Sequence, residues 1–566
     1  MILTKTQMDP KQKQNFEFNL TKEFLDNKAN TKRDLNLRVN GVAAQRGASG
    51  FQFVGYTTLE RFYRGDQWDH NEPEGASQRT DNYCSVIVDN ISSLVFDDIP
   101  EINCPTDDPT DDILELKAEI KERLLRKVWD DNNFEVEFDS WAKQASLYGD
   151  GYLIGPWMEK VDEMGNTVAQ DAPGGKWKIR FQHVENPGSI RQIFSDEQYT
   201  KLEGFIQSDR MYFSRANMLY GDVARAKGIS LVQKLQNDVN SRIDPTTTVP
   251  MVNIDRYWTN KTMSIFIEDK LLDYYVHNWG FVPLEHVKNI YVPNHPFGRS
   301  DIEDSLDPQL FHNRVNNDLA NLLKWISSVN LWGKNVEGMQ ALVAGLSRIY
   351  SVPEDGELHA FEKTGDPYVT NTFVAQRRSA IIEISGVSEA LLSSSQISNA
   401  SGRALALAFQ GTIRKLNPRI KRFRTSLQSL NRNILHLYEL YFPETKKIIE
   451  GDYRNNVYLP ATLLRNIVDT INKFQSGLIS QDTAMREAGV NQPKLEQKLM
   501  KKGIMDPILG PQIARQPSLL PRLSEGQNQP GQNPMPAPGN APAASQAGAV
   551  AGQNQQSSGA AFTPTE

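Results

Sequence analysis

Four carboxylates crowd one short stretch of the chain: Asp107, Asp108, Asp111 and Asp112. Carboxylates at that density could hold calcium, but a calcium loop also needs a turn glycine and a terminal glutamate, and neither is there. The cluster reads as a solvated acidic turn. Metal-dependent DNA chemistry would need paired acids in a pocket, and outside that cluster Asp66 with Asp69 or Asp130 with Asp131 are the pairs to weigh. Pairs of this kind are commonly turns or helix caps. Gly149-Asp150-Gly151 with Gly155 has a faint look of a dinucleotide loop. It follows a helical pattern rather than a strand, so it reads as a tight helix-to-strand turn. The chain has no Gly-x4-Gly-Lys-Ser/Thr phosphate loop and no His-Glu-x-x-His helix, and its eight histidines are scattered. These residues give no catalytic constellation, no cofactor loop and no metal-ligand set, and the chain is not read as an enzyme.

One surface does carry chemistry. From Ser401 to Tyr438 the chain holds eight Lys or Arg and no Asp or Glu. At ~100° per helical residue, Arg403, Arg414, Lys421 and Arg432 fall within about 20° of one another. Leu405, Phe409, Ile413, Leu416, Ile420, Phe423, Leu427, Leu430, Ile434, Leu437 and Tyr441 form an apolar stripe roughly opposite. One face must be buried and the other is a basic ridge. Such a ridge suits phosphate contacts that bind DNA without reading its sequence. It equally suits a solvated face, or acids of a neighbouring chain. A polar run, Ser393-Ser394-Ser395-Gln396-Ile397-Ser398-Asn399-Ala400-Ser401, precedes the ridge.

The elements that would position this surface follow from pattern. Gly402 to Tyr441 predicts one helix of roughly 60 Å, kinked at Pro418 and stopped near Pro443. Ile113, Leu116, Ile120, Leu124 and Val128 predict a helix behind an N-cap at Thr110-Asp111-Asp112. Phe138, Trp141, Ala145 and Tyr148 predict another, with Gly149 just past its end. Trp177 to Phe181, Lys201 to Ile206 and Ser264 to Ile267 read as short strands. Leu310, Val315, Leu319, Leu322 and Ile326 mark a further helix, followed by a turn-rich insertion from Gly333 to about Thr370 and a helix around Ala375 to Ile384. The class is α+β.

The chain has 566 residues and a net charge of −7, enough for several domain-sized units and against a globally basic nucleic-acid binder. Cys84 and Cys104 read as buried thiols of a reducing compartment. Met1 to Pro10 lacks a signal-type apolar core, and no stretch approaches the ~20 apolar residues of a membrane helix. Residues 1–50 read as a loosely held arm with a short helix around Phe18 to Leu25, and residues 511–566, rich in Pro, Gln, Gly and Ala, read as disordered.

Several strings stand in a familiar order. Arg61-Phe62-Tyr63-Arg64-Gly65-Asp66-Gln67-Trp68 is followed by Asn82 and Val86-Ile87-Val88-Asp89-Asn90. Trp129-Asp130-Asp131-Asn132 and the stretch from Ala145 to Tyr152 come next, then Phe297-Gly298-Arg299-Ser300-Asp301-Ile302. Ser401-Gly402-Arg403-Ala404-Leu405 opens the long helix, and Gly477-Leu478-Ile479-Ser480 with Asp482-Thr483-Ala484 follows it. No single string is diagnostic, but the collinear set from about Tyr56 to Gly503 resembles the portal proteins of tailed bacteriophages of the siphovirus type.

The resemblance implies a portal fold assembled as a homododecameric ring at one capsid vertex, with double-stranded DNA passing through its channel during packaging and ejection. It implies a wing (51–300), stem helices (301–333 and 375–390) and a clip (334–374). A tunnel loop (391–401), a long kinked helix with wing return (402–456) and a crown (457–510) complete the fold. The channel candidates are then Ser393, Ser394, Ser395, Gln396, Ser398, Asn399, Arg403, Arg414, Lys421 and Arg432, with Pro418 as the kink. Implied partners are terminase, the head-completion or adaptor protein, and the major capsid and scaffolding proteins, in the virion and, during assembly, the host cytoplasm. No cofactor, metal or membrane is implied. The alternatives are a nuclease-like metal enzyme, which lacks its carboxylate pocket, and another ring of the head–tail connector, which the length and the long helix disfavour.

Removing residues 511–566 is expected to leave cooperative melting and ring formation intact, because a segment of this composition contributes little buried apolar area. Calorimetry and light scattering on the truncated chain check this; loss of either property would mean that the segment is docked.

Overall fold

The computed structural model describes residues 9–40, 54–68, 79–108, 111–162, 175–196, 198–229, 231, 234–237, 248–293, 295–327, 331–334, 354–360, 367–388 and 409–459. The tunnel-loop residues 391–401, most of the crown and the tail 511–566 lie outside them. The first half runs α1 (Pro10–Asn40), α2 (Tyr56–Arg64), α3 (Tyr83–Ser93), β1 (Glu101–Asn103), α4 (Asp112–Asp131) and α5 (Phe134–Tyr148). The strands follow: β2 (Asp150–Val161), β3 (Lys176–His183), β4 (Ile190–Phe194), β5 (Leu202–Tyr212), then α6 (Phe213–Ala226) and β6 (Lys234–Asn237). Then come β7 (Thr248–Thr259), β8 (Thr262–Ile267), β9 (Lys270–Val276) and β10 (Leu284–Lys288). The remainder is α7 (Leu306–Ser327), β11 (Leu331–Lys334), β12 (Glu357–Ala360), α8 (Pro367–Ser385), α9 (Gln410–Tyr441), α10 (Pro443–Ile449) and β13 (Asn456–Tyr458).

The expected loose arm is instead a 31-residue helix docked on a sheet. One residue per turn makes the contact: Phe16 packs on Tyr274, Leu20 is buried, and Phe24 stacks on Phe266 at 3.7 Å. One turn further, Lys28 reaches Asp255 (2.6 Å) and Asp269 (2.5 Å). A helix lying on a flat sheet needs only this narrow line, so the rest of its sequence is polar and looks unstructured. Phe18 and Leu25, the ends of the short helix expected there, are exposed.

The sheet under α1 is antiparallel, in the order β4-β5-β7-β8-β9, with β6 also pairing β7. The three short runs predicted from sequence all fall in strands: two lie in this sheet, in β5 and β8, and the first, in β3, belongs to the smaller sheet β10-β2-β3. Strand alternation gives the large sheet two apolar faces. Ile206, Tyr257 and Phe266 meet α1, while Val252, Ile254 and Ile267 meet Ala216 and Ala224 of α6.

The helical body packs around α9. Leu416, Ile420, Phe423, Leu427, Leu430, Ile434 and Leu437 are all buried, as their spacing requires. Phe423 meets Trp141 edge-on at 4.9 Å, and Asn431 accepts a hydrogen bond from the Trp129 indole (3.0 Å). Pro418 lies inside α9 on its exposed side, where the carbonyl it leaves without a partner can meet water. Asn132, at the end of α4, bonds Val128, Ile179 and Phe181 and ties that helix to β3. Cys84 and Cys104 are buried and not in a disulfide, and burial pushes the Cys84 thiol up to about 12.

Three element expectations need correction. Asp111 caps α4 as expected, accepting from the Ile113 amide at 2.9 Å. Ile113 and Leu116 are nevertheless exposed; α4 buries Ala118, Lys121, Leu125, Val128 and Trp129 instead. The helix docks by its second half, and Lys121 is drawn in by Asp452 at 2.8 Å. On α7 the apolar positions Leu310, Val315, Leu319, Leu322 and Ile326 are only half-buried, and the fully buried line is Gln309, His312, Asn313 and Asn317. These side chains hydrogen-bond residues 79–82: Asn317 accepts from the Arg79 amide (3.1 Å), Asn313 from the Asp81 amide (3.1 Å), and Gln309 donates to the Asp81 carbonyl. Finally, α7 stops at Ser327, and α8 begins at Pro367, well before Ala375. Proline at a first helical position has no amide to waste, so Pro367 starts α8 where the sequence suggested a turn. Between them β11, at the edge of the insertion read as turns, pairs with β12 inside it.

Phe24→Ala should cost ~3–5 kcal/mol, the usual range for emptying a buried aromatic site. Hydrogen exchange should show the loss first in the α1 amides; unchanged protection there would mean that the Phe24–Phe266 stack does not hold the helix.

Candidate nucleic-acid interface

Two backbone segments cross where the helical body meets the strands. Gly149 ends α5 in the left-handed region, at φ 87°. A Cβ on Gly298 would stand 2.3 Å from the Gly149 carbonyl oxygen, so only glycine permits this approach. The Asn289 amide donates to the Gly149 carbonyl (2.8 Å), and the Asp301 amide to the Ser146 carbonyl (3.0 Å). The turn 149–151 is thus the helix-to-strand turn expected, but it also carries a buried charge.

That charge is Asp150, whose side chain is fully buried. It accepts from Arg38 Nε (3.2 Å), Tyr56 Oη (2.7 Å), His286 Nε2 (3.0 Å) and the Gly298 amide (2.7 Å). Burial pushes its carboxyl up; Arg38, His286 and the Gly298 amide outweigh this and hold it below the usual range. A carboxylate can only accept, so His286 carries its proton on Nε2, and its Nδ1 takes a bond from Gln192 (3.1 Å). Arg38 comes from α1 and also donates to the carbonyls of Val54, Tyr148 and Gly298.

Asp301 is the second buried carboxylate. Ser146 Oγ (2.8 Å), Asn289 Nδ2 (2.9 Å), Lys415 Nζ (3.1 Å) and Arg419 Nη2 all reach it. Burial raises this carboxyl as well, and Arg419 and Lys415, with Ser146 and Asn289, bring it below the usual range. Arg419 Nε also donates to Asn289 Oδ1 (2.7 Å), and Arg422 to the Asn289 carbonyl. The same turns of α9 close the end of α8. Lys415 donates to the Ser385 carbonyl, and Thr412 Oγ1 accepts from the Ser388 amide (2.9 Å) and donates to the Gly386 carbonyl (3.3 Å).

With α9 held in this way, its cations divide. Lys415, Arg419 and Arg422 turn inward, while Arg414, Lys421 and Arg432 are exposed on the opposite side from the apolar stripe. Arg403 and the candidates Ser393, Ser394, Ser395, Gln396, Ser398 and Asn399 lie outside the described residues. No ion pair joins Arg414 or Lys421 to another described residue, whereas Arg432 lies within electrostatic range of the buried Glu285 of β10.

A family model for phage portal proteins, SPP1 Gp6-like, matches residues 52–506. The chain belongs to this portal family. No curated protein matches it. The matched span contains both carboxylates and the whole of α9, while the portal chain's Arg38 stands outside it. The family is structural rather than catalytic, and three of the acids weighed above have other partners. Asp107 pairs with Arg454 (2.5 Å), Asp111 caps α4, and Asp66 meets Arg61 at the surface (3.2 Å). Asp130 and Asp131 are exposed, and Asp69 lies outside the described residues. Among the described residues no group of three or more His, Cys, Asp or Glu is placed to hold a metal ion.

Residue type and spacing gave Arg414, Lys421 and Arg432 as exposed cations. They did not give Asp150, Asp301 or Arg38. The signal for the first two was present but unread: each acid stands in one of the collinear strings, Asp150 in the stretch from Ala145 to Tyr152 and Asp301 in Phe297 to Ile302.

Glu285 adds a pH dependence to the α9 contact. Burial raises its carboxyl to about 8, against the pull of Ser429 and Arg432. The folded state therefore holds this proton more tightly than the unfolded chain does. The resulting stabilisation is complete below the ordinary value of 4.5 and is lost as pH rises through about 8. Glu285→Gln, neutral throughout, should melt above the parent at pH 9 and converge with it near pH 5. A constant difference across that range would show that Glu285 does not titrate in the fold.

Proposed function

We propose that this portal chain forms a homododecameric ring at the capsid vertex and conducts double-stranded DNA during packaging and ejection. The reading is supported above all by one observation: a helix with an acid-free basic line, Arg414, Lys421 and Arg432, exposed along the side opposite its buried stripe. In a ring every copy contributes the same line, so a modest charge is multiplied by the number of subunits. Ionic contacts to phosphate are sequence-independent and exchange readily, which suits a surface along which DNA must slide. Heterologous head-to-tail contacts close into rings when the rotation between copies permits.

On this reading residues 301–333, with α7, and 375–390, with the later part of α8, are the stem, and residues 334–374, with β12, form the clip that docks terminase and later the head-completion or adaptor protein. Ser393, Ser394, Ser395, Gln396, Ser398 and Asn399 form the tunnel loop with Arg403 and Arg414 near it, residues 457–510 form the crown, and Pro418 kinks the long helix. The wing meets the major capsid and scaffolding proteins. Assembly takes place in the host cytoplasm, and the finished ring resides in the virion.

Changing Arg403 and Arg414 together to Gln should leave ring assembly unchanged, by native mass spectrometry, and alter DNA packaging yield. Disassembled subunits, with packaging lost only as a consequence, would place these arginines against acids of the adjacent copy and contradict a DNA-facing role.

A further inference from the structure

The eight cations of the 401–438 segment are equivalent in sequence but not in space. Lys415 and Arg419 share Asp301, Arg419 is almost wholly buried, and Arg422 is turned onto the Asn289 carbonyl. Lys415 has a second acceptor in the Ser385 carbonyl at the end of α8, where a cation also offsets the negative end of the helix dipole. On the other side, Arg414 and Lys421 lie seven residues apart, about 10 Å along the axis, and Arg432 about 16 Å further.

We infer that Asp301 is a positioning residue for the basic face: by binding Lys415 and Arg419 from within, it fixes the rotation of α9 and decides which cations can meet phosphate. The inference rests on the DNA-conducting reading above. Two physical facts carry it. Asp301 is not on α9; it stands just before α7 and is tied to Ser146 of α5 and to Asn289 after β10, so it holds α9 to three other parts of the chain. And Lys415 is the immediate neighbour of Arg414, about 100° away around the helix, so the rotation that presents Arg414 to solvent turns Lys415 toward Asp301. A cation engaged by Asp301 releases no counterion when DNA binds, and an exposed one does.

The salt dependence of binding counts phosphate contacts, with log K falling against log salt by about 0.9 for each. Full-length assembled rings are titrated with a duplex of arbitrary sequence at several salt concentrations. Lys421→Gln and Arg432→Gln should each make the slope shallower by the contacts they remove. Lys415→Met should leave it unchanged. Asp301→Asn frees Lys415 and should steepen it, and the double variant Asp301→Asn with Lys415→Met should return it toward the parent value. If Lys415→Met flattens the slope as much as Lys421→Gln does, Lys415 is itself a phosphate contact and the inference falls. If Asp301→Asn lowers melting without steepening the slope, the role of Asp301 is structural only and the inference likewise falls. Should Asp301→Asn fail to assemble, the comparison of Lys415→Met with Lys421→Gln still decides. If Lys421→Gln and Arg432→Gln leave the slope unmoved, the DNA-conducting reading fails instead.

Discussion

A buried carboxyl must either be paired in full or hold its proton; an ionised one left unpaired destabilises the protein around it. The effective cost of removing such an ion from water is several kcal/mol, and breaking a buried pair typically costs ~3–5 kcal/mol because one charge is left alone. Among the described residues Asp150 and Asp301 meet that constraint where the helical body joins the strands, as Asp255 does beneath α1. Asp150 collects α1 through Arg38, α2 through Tyr56, β10 through His286 and the 297–298 crossing through an amide. Asp301 collects α5, the segment after β10 and α9. A buried ion pair is weak evidence of net stability; what these two acids do is bring several elements to one carboxylate each.

What Asp301 fixes is the orientation of α9. Its apolar stripe would bury against any oily surface, and a stripe alone tolerates small rotations and slips. Arg419 on Asp301, together with Asn431 on Trp129, does not. The exposed basic line is then a geometric consequence, set by what lies on the opposite side of the helix. The first turns of α9 also close the end of α8 through Thr412 and Lys415, so α8 and α9 meet in one hydrogen-bonded junction. Glu285 adds a neutral, protonated contact further along the helix.

The sequence made the long helix legible because its apolar stripe has a single period and is uninterrupted from Leu416 to Leu437. It made Gly149 legible as a helix end, because a helical stripe stops there before a strand. It misled at α1, where one apolar contact per turn is too thin a pattern to register, and at α7, whose buried line is Gln309, His312, Asn313 and Asn317 rather than its apolar positions. Polar side chains are buried there because the segment 79–82 offers backbone groups to Gln309, Asn313 and Asn317 and the Asp81 carboxylate to His312, a match between distant parts of the chain that no local pattern records. The family-like strings behave in the same way. Gln67 and Asn82 bond one another at 3.0 Å, and the strings holding Asp150 and Asp301 meet at the Gly149–Gly298 crossing. Their order along the chain could be read; that they converge could not.

The central claim is that the outer face of α9 looks onto DNA in the assembled ring. The most direct measurement is an electron cryo-microscopy reconstruction of the full-length ring with a duplex threaded through it. The account predicts Lys421 and Arg432 facing the axial density within reach of phosphate, with Lys415 still turned onto Asp301. A reconstruction in which that face of α9 is sealed against the neighbouring subunit, its cations paired with the neighbour's carboxylates, would contradict it.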